Sequence, residues 1–142
     1  MKKKLIMAVL ALLPLAAGAL DNPYLSDFVQ DKETGKAYRS LIARYQLPSW
    51  IKEGGTSTPA SQVSIDGISY LALSGCMPHN CAAQAISILY SPDKGDISGV
   101  FSELDMTTGR QTLIWLDPEA SDDTAKRNIL FSRLNGDVSG GK

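Results

Sequence analysis

The stretch Ser61-Gln62-Val63-Ser64-Ile65-Asp66-Gly67-Ile68-Ser69-Tyr70-Leu71-Ala72-Leu73 decides the fold. Val63 and Ile65 alternate with polar residues up to Asp66-Gly67, a pair that signals a tight hairpin turn. Ile68, Tyr70 and Ala72 alternate beyond it, with Leu71 and Leu73 on the opposite face. Downstream, Ile86, Ile88 and Tyr90 again share one face. Ser91-Pro92-Asp93-Lys94-Gly95 is dense in turn formers, and Ile97 to Leu104 reads as a further strand. Thr107-Thr108-Gly109 turns the chain into Thr112 to Leu116. Parallel neighbours would need crossovers of about a dozen residues, so these short connections imply an antiparallel meander of about five strands.

Helical spacing flanks the sheet. After Thr34, read as an N-cap, Ala37, Tyr38, Leu41, Ile42 and Tyr45 follow a helical period, and Pro48 marks its end. Leu20 to Lys32 is an irregular or briefly helical lead-in, with Tyr24, Leu25, Phe28 and Val29 available to dock. Trp50 and Ile51 lead into Gly54-Gly55, where the chain should turn. Beyond the last strand, Asp117-Pro118 offers a helix start, and Asp122-Asp123 another. Ala125, Ile129, Leu130 and Leu134 trace an apolar stripe that Asn135-Gly136 closes, and Val138 to Lys142 should fray. The expected architecture is α+β, with helices from both ends of the chain packed on one face of the sheet.

The first residues read as an export signal. Lysines fill positions 2 to 4, Leu5 to Ala17 are apolar, and Ala17-Gly18-Ala19 supplies the small residues a signal peptidase requires. About 13 apolar residues fall short of the roughly 20 that span a bilayer, so cleavage after Ala19 is expected and the mature chain has no membrane span. Residues 20–142 then form one domain. The segment removed carries three lysines and no acid, which takes the formal charge from −1 to −4. A mildly acidic surface argues against nucleic acid and anionic membranes as partners and permits attraction to a basic protein.

Between two consecutive strands lies Cys76-Met77-Pro78-His79-Asn80-Cys81, which holds both cysteines and the only histidine of the chain. In an exported protein, cysteines separated by four residues can close a small ring that projects as a hairpin tip. Extrapolating the loop-length relation, so short a ring adds roughly 2 kcal/mol of stability. Holding His79 ready for a partner is a better reason for it, and Pro78 stiffens the same loop. A structural clip with a solvated histidine is the competing explanation.

Catalytic chemistry finds little support. A zinc site wants three or four ligands, which one histidine beside two oxidised cysteines does not supply. Thioredoxin-like chemistry needs Cys-x-x-Cys, and no Gly-x-Ser-x-Gly elbow, phosphate-binding glycine loop or His-Glu-x-x-His occurs. The chain is therefore read as a non-enzyme without cofactor or metal. Trp50 and Trp115 are assigned to the core, Gly54-Gly55 to a turn, and Asp122-Asp123 to a helix cap.

The ring with Pro78-His79 inside it, Leu47-Pro48-Ser49-Trp50, Gly54-Gly55-Thr56 with Thr58-Pro59-Ala60, and Leu113-Ile114-Trp115-Leu116 together resemble the inhibitor of vertebrate lysozyme family, Ivy. The segments occur in the family's order and span nearly the whole mature chain. The resemblance implies a periplasmic protein that binds C-type lysozyme and inserts the loop Cys76, Met77, Pro78, His79, Asn80 and Cys81 into the sugar-binding cleft, with His79 as the key inhibitory residue and a Cys76–Cys81 disulfide. It allows monomers and homodimers. Control of the cell's own lytic transglycosylases, which attack the same bond, is an alternative role, and an enzyme or structural periplasmic factor is a third. The best-known family loop reads Cys-Lys-Pro-His-Asp-Cys. Here Met77 replaces the lysine and Asn80 the aspartate, so the carboxylate beside the histidine gives way to a group that only hydrogen-bonds.

Overall fold

A computed structural model describes residues 22–117 and 122–135. The signal segment 1–19, the helix start at Pro118, the stop at Gly136 and the tail 138–142 lie outside the described residues. Two helices, α1 (Leu25–Gln30) and α2 (Lys32–Ile42), precede a short 3-10 helix, Ser49–Glu53. Five strands follow: β1 (Thr56–Ile65), β2 (Ile68–Cys76), β3 (Gln84–Tyr90), β4 (Ile97–Leu104) and β5 (Gln111–Leu116). Helix α3 (Thr124–Leu134) ends the described chain.

The strands form one sheet in the order β1-β2-β3-β4-β5, every pair antiparallel, as the alternation and short turns demand. Asp66 and Gly67 take φ 51° and 79°, so both central residues of the β1–β2 turn are left-handed. That turn matches the twist of the strands it joins. Strand β1 starts earlier than its alternation suggests, because its register shifts between Thr58 and Ser61. Pro59 sits in that irregularity on an edge strand, where a missing N–H is tolerated.

The helices do not share one face, contrary to the sequence expectation. Leu73, Ile86, Ile88, Phe101 and Leu116 pack with Leu25, Phe28, Tyr38, Leu41 and Ile51 of the N-terminal helices. Tyr70, Ala72, Leu89 and Val100 point the other way, toward Leu130 of α3. The reason lies in the pleat: successive residues of β2 and β3 alternate sides, and both sides are apolar enough to need a cover. Leu71 and Leu73, opposite Tyr70 and Ala72, already carried that signal.

Helix α2 is capped one turn earlier than expected. The Asp31 carboxylate accepts the N–H groups of Glu33 and Thr34, both at 2.9 Å, while the Thr34 hydroxyl donates to the Phe28 carbonyl at 2.7 Å. Hydrogen bonds to its carboxylate, chiefly from the Thr34 N–H, hold Asp31 below its ordinary pKa. Tyr38, fully buried, donates its hydroxyl to the Ile51 carbonyl at 2.6 Å and so ties α2 to the 3-10 helix. Burial pushes the Tyr38 phenol well above its ordinary pKa.

Helix α3 is capped by Asp123, whose carboxylate accepts from the Ala125 and Lys126 N–H groups. It carries a side chain absent from the apolar stripe read in the sequence. Arg133 is 2% exposed. Its guanidinium reaches the Ser61 and Thr58 hydroxyls at 3.3 and 3.4 Å and the Pro59 carbonyl, all at the β1 irregularity.

Candidate functional site

Strand β2 ends at Cys76 and β3 begins at Gln84, so the segment 77–83 is the tip of this hairpin. The Cys76–Cys81 disulfide closes it, with the two Cα atoms 4.7 Å apart. The Met77 N–H donates to the Gln84 carbonyl at 3.0 Å, which carries the ladder one pair past the strands. Two turns then fold the tip: Asn80 N–H donates to the Met77 carbonyl and Ala83 N–H to the Asn80 carbonyl, at 3.0 and 3.1 Å. Pro78, His79, Asn80 and Cys81 are exposed, and Met77 is half-buried. His79 stands at φ 66°, a left-handed conformation uncommon outside glycine but accessible to histidine. Among the described residues, no side chain hydrogen-bonds to its imidazole, which faces solvent with both nitrogens available.

The root of the tip is built from residues far away in sequence. A Cβ on Gly75 would collide with the Gly54 carbonyl oxygen, and one on Gly55 with the Cys76 carbonyl and the Trp50 ring. Gly54 and Gly55, at φ 87° and 62°, therefore do more than turn the chain: they let the segment after the 3-10 helix lie directly against the end of β2. Trp50, expected in the core, is half-buried and donates its indole N–H to Gln84 Oε1 at 2.8 Å. Gln84 in turn donates from Nε2 to Glu103 Oε2 at 2.8 Å. Leu104 N–H donates to the Ala83 carbonyl at 2.8 Å and pins the exit of the tip to β4.

Gly75, Gln84 and Glu103 escaped sequence reasoning. Their only local mark is a position at a strand end, and the partners they meet are long-range. Trp115 packs half-buried in the cluster beneath α3, in keeping with a core role. Among the described residues no group of three metal-ligating side chains converges.

A five-stranded antiparallel sheet with one disulfide-closed hairpin tip, its histidine exposed, defines an α+β protein with a cross-linked loop at one end of the sheet. The chain belongs to the inhibitor of vertebrate lysozyme (Ivy) family, whose model matches residues 33–126, from α2 through the ring to the start of α3. A relative named inhibitor of vertebrate lysozyme from Escherichia coli K12 is 31% identical over 136 residues, 95% of this chain and 87% of its own. A protein of the same name from Escherichia coli O157:H7 matches to the same extent. One from Pseudomonas aeruginosa is 27% identical over 55 residues, 38% of this chain and 36% of its own.

Proposed function

We propose that this chain is a periplasmic inhibitor of C-type lysozyme, exported by a signal cleaved after Ala19, and that it acts by inserting the Cys76–Cys81 ring into the sugar-binding cleft. The observation that carries the reading is the chain's only histidine, held exposed at φ 66° on a disulfide-closed tip. Family membership and the shared name of its relatives support the target.

The chemistry follows from what lysozyme uses. It hydrolyses a glycosidic bond with two carboxyl groups, one protonated and one ionised, about 5 Å apart in a retaining enzyme. An imidazole carries two ring nitrogens, one a donor and one an acceptor in the neutral form, so it can hydrogen-bond to an ionised and a protonated carboxyl at once and occupy the place of the substrate. Pro78 fixes the approach of His79, and the disulfide and the two turns hold the tip in one shape. Little conformational freedom is then lost on binding. A net charge of −4 on the mature chain favours encounter with a basic lysozyme.

The test is His79→Ala in the oxidised, processed protein, assayed against a purified vertebrate C-type lysozyme. Inhibition should weaken more than about tenfold, the behaviour of a central anchor in a small interface, with the circular dichroism spectrum unchanged. Unchanged inhibition removes the mechanism. Inhibition of the cell's own lytic transglycosylases, with lysozyme left active, would reassign the loop to them.

A further inference from the structure

Two hairpin tips leave the sheet at the end where β2 stops. One is the ring, and the other is the β4–β5 turn, Asp105 to Arg110. They are neighbours: Gln84 pairs with Glu103 across β3 and β4, and the Leu104 N–H bonds to the Ala83 carbonyl between them.

The second tip is both rigid and apolar at its crest. Asp105 accepts the N–H groups of Thr107 and Thr108 on its carboxylate at 2.8 and 3.2 Å. The Gly109 N–H donates to the Asp105 carbonyl at 2.8 Å, and the Asp105 N–H to the Arg110 carbonyl at 2.9 Å. On this fixed backbone Met106 is 65% exposed, the most of any large apolar side chain among the described residues. Of the four methionines in the chain, Met1 and Met7 belong to the export segment, and the remaining two, Met77 and Met106, stand one on each tip. Methionine suits such a position, because its flexible, polarizable thioether adapts to an irregular surface.

The ring alone is too small for its task. A specific protein interface takes about 20–30 residues from each side, and the ring offers six. The surface that joins it must lie at the same end of the sheet and keep its shape, as the β4–β5 turn does. Asp105 and Arg110 flank Met106 there, giving an apolar centre with a polar rim, the usual anatomy of a contact.

We infer that the β4–β5 turn is a second contact for the protein the ring engages, with Met106 seated on the rim of the same cleft. The inference rests on the reading of the ring as a lysozyme-binding loop.

The test compares Met106→Ala and Met106→Glu, with His79 in place, for affinity toward vertebrate C-type lysozyme by calorimetry. Met106→Glu should bind about tenfold more weakly and Met106→Ala several-fold, at an unchanged thermal midpoint. Should Met106→Glu disturb the fold, hydrogen exchange on the unsubstituted protein decides: the Thr107 to Arg110 amides must slow when lysozyme is added. Affinities within about twofold of the parent overturn the inference. So does protection that arises only from self-association of the free chain. His79→Ala, read in parallel, separates the two claims. If it weakens binding while the Met106 variants do not, the second contact falls and the ring stands. If none of the three changes matters, both fall.

Discussion

The indole N–H of Trp50 donates to Gln84 Oε1 at 2.8 Å, joining the 3-10 helix to the first residue of the strand that leaves the ring. Gln84 is thereby fixed at both ends of its amide, since its Nε2 is spent on Glu103. The tip is thus braced from the N-terminal layer and from β4 at once, with its own disulfide as a third restraint. A loop held from three sides needs little rearrangement to bind.

Trp50→Phe keeps the ring and removes the donor. The fold should survive with a loss of about 1 kcal/mol, the net worth of a typical hydrogen bond. Inhibition of lysozyme should weaken several-fold, because Gln84 no longer positions the root of the tip. Urea denaturation measures the first and a lysozyme assay the second. Unchanged inhibition beside the expected loss of stability would restrict Trp50 to a structural part.

Reduction of the Cys76–Cys81 bond separates stability from presentation. The loop-entropy relation gives roughly 2 kcal/mol for a ring this short, so the reduced protein should stay folded. Its affinity for lysozyme should fall by more than about tenfold, because the freed loop must be ordered on binding. A Cys76→Ser, Cys81→Ser variant measured by calorimetry checks this without a reductant that would also attack the disulfides of lysozyme.

The parts of the fold legible in the sequence were those with local signals. The alternation around Asp66-Gly67 gave the first hairpin, and turn formers at Ser91 to Gly95 and Thr107 to Gly109 marked the third and fourth. The tip was visible because rare residues cluster in it. What escaped was non-local. Trp50 and Gln84 lie 34 residues apart, and Gln84 and Glu103 lie 19 apart, so nothing around any of them announces the partner. The side taken by α3 escaped for another reason: Leu73 and Ala72 make both faces of β2 apolar, and the pattern of the helix does not say which one it covers. Thr34 and Asp31 are both capping residue types three positions apart. The choice fell to Asp31, whose carboxylate gathers two backbone N–H groups.

Arg133 is the largest buried side chain beneath α3, and it meets hydroxyls and a carbonyl with no carboxylate bonded to it among the described residues. An apolar-stripe reading skips an arginine, although its stem lies along the stripe between Leu130 and Leu134. Burial lowers its pKa from the ordinary arginine value. Arg133→Ala removes the packing of the stem and strands the Pro59 carbonyl, so a loss of about 3 kcal/mol is expected. Chemical denaturation gives the figure. Among the described residues its guanidinium bonds to Thr58, Pro59 and Ser61 and to no residue of the ring, so inhibition by the folded fraction should persist.

Stability should decline at both extremes of pH, through different groups. Asp31 and Asp105 have carboxyls held below their unfolded value of 3.8, Asp31 chiefly by the Thr34 N–H and Asp105 chiefly by the Thr107 N–H. A carboxyl depressed in the folded state contributes stability above its unfolded pKa, and the contribution is lost as pH falls through the folded value. Tyr38 works at the other end. Its phenol is raised above the unfolded value of 10.0 by burial, so its contribution is whole below pH 10 and is lost as the pH rises beyond it, where the unfolded chain ionises first. Asp31→Asn keeps a capping oxygen while removing the titration and should flatten the acid limb. Tyr38→Phe should flatten the alkaline limb, and at neutral pH it should cost about 1 kcal/mol, because the Ile51 carbonyl loses its donor. Urea midpoints recorded from pH 2 to pH 11 separate the two; an acid limb unchanged in Asp31→Asn would mean that other carboxylates govern it.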